Sequence, residues 1–383
     1  MTAYFDHTAT GLVDPDLIDF YAQALKDYPY NPAANYREAR RGFAAIQEAS
    51  KEIGDLLGCR AEEVIYTSSG TESINTALKS VAWQTRPKKG QLLAPLGEHP
   101  ASAETLNFLN SKLERNCNYV PLLDGQPDLN LLEESLATCK TDLISCMAVS
   151  NLTGAIYPVA DMQKIRKKYA PQARFHIDAV QALGKIPISF HDWGIDYMSF
   201  SLHKLGAPKG LGILLARDNL PLEPLLLGGG QQGGKRSSTE NPAQALTSAF
   251  AIKKSLGRME AEEKASRQLQ KTLLANLDAL GLDYKKLSPK KAVAQILALY
   301  IPGLRSHNLQ TVLADEGFLL GIGSACSSSK AEVVSQVKAL GLDGEAGYHL
   351  LRVSLNAHNT EAEVCALAEA ISTAVKRFGL KQR

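Results

Sequence analysis

The segment Tyr197-Met-Ser-Phe-Ser-Leu-His-Lys204 begins as an apolar strand pattern and ends in polar and charged residues. The Gly/Pro turn Leu205-Gly-Ala-Pro-Lys-Gly210 follows it directly. A lysine at the carboxyl end of a buried strand is poorly placed for a charge that only faces solvent. Partial burial would lower the pKa of the Lys204 amine toward the neutral, reactive form that imine chemistry needs. We therefore favour a chemical role for Lys204 over a place in a surface loop.

Short apolar segments alternate with amphipathic stretches between about residue 40 and residue 220. The strand-like segments are Glu63–Thr67, Gln91–Pro95, Asn118–Leu122, Leu143–Val149, Arg174–Ile177, Tyr197–Ser201 and Gly212–Ala216. This alternation predicts an α/β fold with a mostly parallel sheet that is covered on both faces. Ligands of such sheets bind at the carboxyl ends of the strands. We therefore expect the chemistry in the residues that directly follow these segments.

The pattern changes after Gly228-Gly-Gly230. A charged and apolar periodic stretch from Asn241 to about Leu280 predicts one or two long helices. Beyond it the chain predicts a smaller α/β unit that ends in a helix from Thr360 to Phe378, with Thr360-Glu-Ala-Glu as a capping box. We expect a large domain over residues 12–250 and a small domain formed by residues 1–11 and 251–383.

Composition excludes several classes of protein. The 383 residues include 42 Lys and Arg against 40 Asp and Glu, and a formal charge of +2 provides no basic stripe for nucleic acid. With 45% hydrophobic and 21% charged residues, the chain has the composition of a folded globular protein. The apolar runs are too short to span a membrane, and the first residues lack a secretory pattern. We expect neither membrane insertion nor nucleic-acid binding.

The six cysteines are scattered along the chain without a CxxC pair. This pattern is typical of reduced thiols in the cytoplasm rather than of a disulfide framework. We therefore expect a cytoplasmic protein, and the sequence indicates no metal site.

Polar groups also follow the other predicted strands. Asp178 ends one strand segment, and Gln181 comes three residues later. A carboxylate beside a pyridine nitrogen keeps that nitrogen protonated, the property that makes pyridoxal phosphate an electron sink. The turn Thr67-Ser-Ser-Gly-Thr-Glu-Ser73 offers amides and hydroxyls that could hold a phosphate at a helix N-terminus. Each feature alone is more often only a helix cap, but together with Lys204 they indicate a cofactor site.

Six motifs carry a resemblance to a known family. They are Ser69-Gly-Thr-Glu72, Glu98-His99, His176-Ile-Asp-Ala-Val-Gln181, Ser201-Leu-His-Lys204, Gly229-Gly-Gln-Gln232 with Arg236-Ser-Ser-Thr239, and Gly323-Ser-Ala-Cys-Ser-Ser328. In this order they resemble the cysteine desulfurases, which are pyridoxal-phosphate enzymes of the class V aminotransferase family. The similarity extends from Phe5-Asp-His-Thr-Ala-Thr10 to Leu351-Arg-Val-Ser354. It implies a fold type I transferase with a large cofactor domain and a smaller C-terminal domain.

The resemblance implies a role for each group at the strand ends. Lys204 would form the imine with pyridoxal 5'-phosphate and then move protons, and His99 would stack on the cofactor ring. The other cofactor contacts would be Asp178 to the ring nitrogen, Gln181 and Asn151 to the phenolic oxygen, and Gly70, Thr71, Ser201 and His203 to the phosphate.

The resemblance also implies how substrate and subunits are bound. Arg352 would hold the substrate carboxylate in the bidentate geometry that a guanidinium offers, with Asn31 beside it. The hydroxyl of Thr239 would reach the phosphate of the neighbouring subunit. We therefore expect a homodimer with two shared sites and L-cysteine as the substrate.

Cys326 distinguishes a desulfurase from its aminotransferase relatives. It lies in the Gly/Ser-rich run Gly321–Lys330, which is typical of a mobile loop that takes up sulfur and then delivers it. The resemblance implies that Cys326 becomes a persulfide and that a sulfur-acceptor protein receives the sulfur. An iron–sulfur scaffold, a tRNA-thiolation protein and a DNA-modification protein are all open as acceptors.

The chain departs from the family pattern at several positions. Gly11-Leu12 replaces a Thr-Pro pair, the stretch around Asn35-Tyr36 is shortened and lacks a histidine, Leu152-Thr153 replaces Glu-Ile or Glu-Thr, and Ser238 replaces a glycine. These changes leave a cystine or selenocysteine lyase with the same cofactor as the alternative function. A cofactor-binding scaffold is less favoured because Lys204, Asp178 and Cys326 are intact.

Overall fold

The computed structural model describes residues 2–85, 90–322, 339–342 and 345–379. Within these residues a seven-stranded sheet is the centre of the larger part of the fold. Its strands, in order across the sheet, are β2 (Val64–Thr67), β10 (Gly212–Ala216), β9 (Tyr197–Ser201), β8 (Arg174–Asp178), β7 (Thr141–Met147), β3 (Gln91–Pro95) and β4 (Cys117–Val120). Neighbours from β9 to β4 are parallel, and β10 is antiparallel to both β9 and β2. The carboxyl ends of β2, β3, β7, β8 and β9 therefore meet at one edge.

Helices cover both faces of this sheet. All residues of β3, β7 and β9 are buried, as expected for strands that are covered on two sides. One face packs on α3 (Gly70–Gln84) and α4 (Pro100–Leu113). The other face packs on α1 (Pro15–Asp27), α2 (Arg37–Leu57), α5 (Leu129–Thr138), α6 (Val159–Tyr169) and the short α7 (Phe190–Trp193). A small hairpin of β5 (Leu122–Leu123) and β6 (Gln126–Pro127) precedes α5.

A single long helix, α8 (Pro242–Ala279), connects the two hydrophobic cores. Near its start Ala249 and Ile252 are buried in the core of the large sheet, whereas Leu273 and Leu277 near its end are buried in a separate core. The predicted one or two helices are therefore one. The expected boundary between the two domains, at residues 250 and 251, lies inside this helix. The division into these two domains stays a prediction.

The second core lies against a five-stranded sheet. Its order is β1 (Ala3–Phe5), β13 (Phe318–Ile322), β14 (Leu350–Ser354), β12 (Ile296–Tyr300) and β11 (Lys285–Lys286), with α9 (Ser306–Asp315) and α10 (Glu361–Phe378) packed on it. Strand β1 pairs in parallel with β13, so the N-terminal segment forms part of the small sheet. The segment after β1 then continues toward the carboxyl edge of the large sheet.

The predicted α/β fold with a mostly parallel sheet is confirmed. The predicted capping box is also present, because the Thr360 hydroxyl accepts from the Glu363 amide and the Glu363 carboxylate accepts from the Thr360 amide. Strand ends differ from prediction by a few residues. Glu63, for example, lies in a turn before β2, where its carboxylate accepts from the backbone N–H of Arg60 at 2.8 Å. In the described part of the chain, no helix combines the length and the apolar character needed to cross a bilayer.

Candidate active site

A cavity of about 350 Å³ opens at the carboxyl edge of the large sheet. Most of the side chains that the sequence singles out line it. These are Gly70, Thr71, His99, Asn151, Asp178, Gln181, Ser201, His203, Lys204 and Arg352. The rest of the lining consists of Thr8, Ala9, Ile74, Met147, Val149 and Val180. Residues from distant parts of the chain meet here because parallel strands end at the same edge of a sheet.

Lys204 lies in a single 3-10 turn that directly follows β9. Its Nζ donates hydrogen bonds to the backbone carbonyls of Thr8 at 2.7 Å and Ala9 at 2.5 Å. Burial, together with the nearby positive charges of Arg352 and Lys185, lowers the pKa of Lys204 to about 8. The amine is therefore held in place and is closer to neutrality than an exposed lysine.

Asp178 is the last residue of β8 and is 5% exposed. Burial raises its pKa to about 6, although the Val180 amide, which donates to Oδ1 at 3.0 Å, and the charge of Lys204 both favour the ionised form. A buried carboxylate with so few partners can be stabilised by a bound cationic group.

Two amide side chains beside Asp178 have unused hydrogen-bonding capacity. Gln181 donates from Nε2 to the Thr8 carbonyl at 3.0 Å. Its Oε1 and the Oδ1 of Asn151 are buried and have no hydrogen-bond partner among the described residues. Unsatisfied buried polar atoms are costly, and a ligand in the cavity can satisfy them.

His99 is the N-cap of α4. Its Nδ1 accepts from the Ala101 amide at 3.1 Å, so the neutral ring carries its proton on Nε2. Burial, with a smaller contribution from the charge of Lys204, lowers the pKa of His99 to about 4. The preceding residue, Glu98, is 3% exposed and accepts from the Met147 amide at 2.9 Å. This bond ties the loop that carries His99 to the end of β7.

The first turn of α3 forms one wall of the cavity. Ser69 caps the helix by accepting from the Glu72 amide at 3.2 Å, which leaves the cavity-lining Gly70 and Thr71 at its first two positions. A Cβ on Gly70 would lie 2.9 Å from Val180 Cγ2 and 3.2 Å from Ser201 Cβ. Glycine is therefore needed here for the close approach of the helix to the strands. The resulting helix N-terminus suits an anion such as phosphate.

Arg352 reaches the cavity from β14 of the small sheet. Its Nη2 donates to Asp6 Oδ1 at 2.8 Å and its Nη1 to the Asn151 carbonyl at 3.1 Å. The Nε is buried and has no hydrogen-bond partner in the described chain. The guanidinium is thus held from two sides and has a donor free for a carboxylate.

Two of the predicted site residues, Asn31 and Thr239, do not line this cavity. Asn31 is exposed and its side chain accepts from the Ala33 amide at 3.0 Å, which forms a local turn. Thr239 is also exposed. Cys326 lies outside the described residues. The roles expected for these three residues stay predictions.

No role was predicted for the N-terminal segment Thr8–Thr10, although the family resemblance begins with a motif that contains it. Its backbone carbonyls accept from Lys204 and Gln181, and the Thr10 hydroxyl lies 3.0 Å from His203 Nδ1. The sequence pattern indicates this contribution only weakly, because every residue has a backbone carbonyl that can accept a hydrogen bond, whatever its side chain. The long sequence separation also hid their proximity to the strand ends.

The fold and the site together define a class of protein. Residues 3–367 match the model of the family Aminotransferase class-V, and the chain belongs to this family. Among solved structures, one described as a NifS-like protein superposes with a TM-score of 0.91 at 31% identity, covering 98% of this chain and 100% of the other.

Curated relatives are more specific. A cysteine desulfurase of Nostoc sp. is 32% identical over 98% of this chain and 93% of its own length. A structure described as SspA in complex with cysteine is 27% identical, with a TM-score of 0.80, and covers 94% of this chain and 100% of the other. These findings confirm the family and the fold class predicted from the motifs.

Proposed function

We propose that this chain is a cysteine desulfurase, which converts L-cysteine to L-alanine and retains the sulfur as a persulfide. The observation that carries the proposal is the cavity shared by Lys204, Asp178 and Arg352. It combines an amine suited to proton transfer, a buried carboxylate and a guanidinium suited to an amino acid's carboxylate. Relatives that are named for this activity, such as the Nostoc protein, support it.

The residues of the cavity fit pyridoxal 5'-phosphate. Asp178 would pair with the protonated ring nitrogen, and the side-chain N–H groups of Gln181 and Asn151 would donate to the phenolic oxygen. The other contacts would be His99 on the ring face and Gly70, Thr71, Ser201 and His203 at the phosphate. When bound, the cofactor supplies an electron sink that stabilises charge on the substrate carbon.

Lys204 Nζ is the group that moves the proton. Because its pKa is lowered to about 8, part of the amine is unprotonated near neutral pH, as a general base requires. The carbonyls of Thr8 and Ala9 orient it. Arg352, held by Asp6, would fix the substrate carboxylate so that the substrate's Cα faces this amine.

The sulfur step belongs to Cys326. Its thiolate would attack the substrate sulfur, and the bond between that sulfur and Cβ would break. The electron pair of the broken bond, with a proton, remains on the carbon product, so cysteine and one thiol give alanine and one persulfide. A sulfur-acceptor protein, such as an iron–sulfur scaffold, then receives the sulfur.

The proposal includes a homodimer in the cytoplasm. Thr239 is exposed in the single chain, next to the Gly-rich run that starts at Gly228, and a partner subunit would bring this hydroxyl to a cofactor phosphate. Sedimentation of the purified protein tests this point. A fully active monomer would refute the shared site.

Product analysis with L-cysteine as the substrate tests the activity. We expect equimolar alanine and, with a reductant present, sulfide. Lys204→Ala should abolish both products together with the cofactor's absorption band. Cys326→Ala should retain the cofactor but stop the release of sulfur. If Cys326→Ala releases sulfur at the wild-type rate, the lyase alternative replaces the desulfurase.

A further inference from the structure

A second cavity, of about 540 Å³, adjoins the candidate active site at Thr8 and Lys204, which line both. Its other walls are the segment before α1, the turn that carries Lys185, the middle of α8 and residues 355–358 before α10. None of the roles proposed above for the reaction uses these walls.

Most charges on the walls are paired with each other. Lys254 lies 2.7 Å from Asp14 and 2.6 Å from Asp16, and Arg258 lies 3.5 Å from Asp14 and 3.9 Å from Glu262. Glu262 also accepts from the Ala357 amide at 2.8 Å.

Lys185 differs from these cations. It is only partly exposed, and no carboxylate of the described residues forms an ion pair with it. Burial lowers its pKa to about 8, with Glu262 offsetting this in part. A buried amine without a counter-ion attracts an anion.

Two neutral groups in the same cavity lack hydrogen-bond partners. Gln295 is 5% exposed, and neither its amide nitrogen nor its amide oxygen has a partner in the described part of the chain. His7 Nδ1 lies 3.3 Å from Asn356 Nδ2, which donates to it in the tautomer that carries the ring proton on Nε2. His7 Nε2 is buried and has no hydrogen-bond partner in the described part of the chain. The cavity thus offers one cation and two neutral donors.

Three leucines form an apolar part of the remaining wall. Leu183, Leu205 and Leu355 line the cavity and are 2%, 7% and 1% exposed. A dianion such as phosphate would find a single unpaired ammonium group besides Lys204, which is too little to offset its charge. A carboxylate needs only one cation and two donors, and its hydrocarbon chain can lie against the leucines.

We propose that this cavity binds a small aliphatic carboxylate, with the carboxylate at Lys185, His7 and Gln295 and the chain against the leucines. The site is distinct from the substrate site at Arg352 and is independent of the proposed desulfurase activity.

Titration calorimetry of the holoenzyme with sodium butyrate tests the proposal, with sodium acetate and inorganic phosphate as comparison ligands. We expect one butyrate per chain, bound about tenfold more tightly than acetate because two further methylene groups are buried. Phosphate should give no binding heat. Lys185→Gln and Gln295→Leu should each weaken butyrate binding about tenfold or more.

Two control variants test in which cavity butyrate binds. Arg352→Leu and the exposed Lys209→Gln should leave butyrate binding unchanged. If Lys185→Gln does not fold, Gln295→Leu by itself tests whether butyrate binds in this cavity. Binding that is lost in Arg352→Leu but kept in Lys185→Gln or Gln295→Leu would place butyrate in the first cavity and overturn the proposal. Binding of phosphate in place of butyrate would contradict the proposal that this cavity binds a carboxylate.

Discussion

Asp6 and Arg352 are 346 residues apart in sequence, yet Asp6 Oδ1 accepts a 2.8 Å hydrogen bond from Arg352 Nη2. Asp6 comes directly after β1, and Arg352 lies in the middle of β14. The carboxylate compensates the charge of a guanidinium that is largely removed from water. It also holds the guanidinium at the wall of the cavity.

Asp6→Asn should therefore weaken substrate binding more than cofactor binding. The amide still accepts a hydrogen bond but lacks the charge, and a loss of about 1.4 kcal/mol corresponds to a tenfold rise in the KM for L-cysteine. Steady-state kinetics and the cofactor's absorption band provide the two measurements. Asp283→Asn, at an exposed position in a loop, should change neither. Loss of the absorption band in Asp6→Asn would contradict a role confined to Arg352.

Gly321 makes room for the same ion pair. A Cβ at this position would lie 2.5 Å from Asp6 Oδ1 and 2.9 Å from Arg352 Nε. Gly321→Ala should displace the guanidinium and raise the KM for L-cysteine about tenfold. Gly257→Ala is the matched control, because nothing lies within 4 Å of its Cβ and it is exposed in a helix. This control should keep the KM and stabilise the fold by about 0.5–1 kcal/mol. An unchanged KM in Gly321→Ala would show that the pair does not position Arg352.

The lowered pKa of Lys204 predicts a pH dependence of stability. In the apoprotein the folded amine titrates near 8 and the unfolded one at its ordinary 10.5, so between these values the unfolded chain binds more protons. The free energy of unfolding of the wild type should therefore rise with pH across this window, relative to that of Lys204→Met. Urea unfolding between pH 7 and pH 10 measures the difference. Lys209→Met, which removes an exposed lysine, is the control for the loss of a positive charge. A constant difference for Lys204→Met would mean that Lys204 titrates as an exposed lysine.

Ser238 adopts a φ of 151°, a backbone region that favours glycine. Ser238→Gly should stabilise the protein by about 1 kcal/mol, because it relieves strain next to Thr239. Chemical denaturation measures the gain. Ser111→Gly, in the exposed part of α4, should instead lower stability by about 0.5–1 kcal/mol. A loss of stability in Ser238→Gly would contradict the strain.

Much of the candidate site could be predicted because its residues follow strands. Asp178, Lys204 and Asn151 each come after a run of apolar residues, and the parallel order of those runs brings their ends together. The family motifs then supplied an expected role for each. Residues on loops were less predictable. Asn31 engages in a local turn, and the position of Thr239 relative to a cofactor depends on a second subunit.

The sequence by itself determined the class of fold, the family and the side chains gathered at the strand ends, because alternation of apolar segments and spacing of motifs are local properties. Only the tertiary structure decided what surrounds those side chains. The carbonyls of Thr8 and Ala9 at Lys204, the carboxylate of Asp6 at Arg352, and the unsatisfied groups around Lys185 come from segments far apart in the chain. Burial and charge at a point depend on everything packed around it, so the lowered pKa values of Lys204 and Lys185 follow from packing rather than from sequence position.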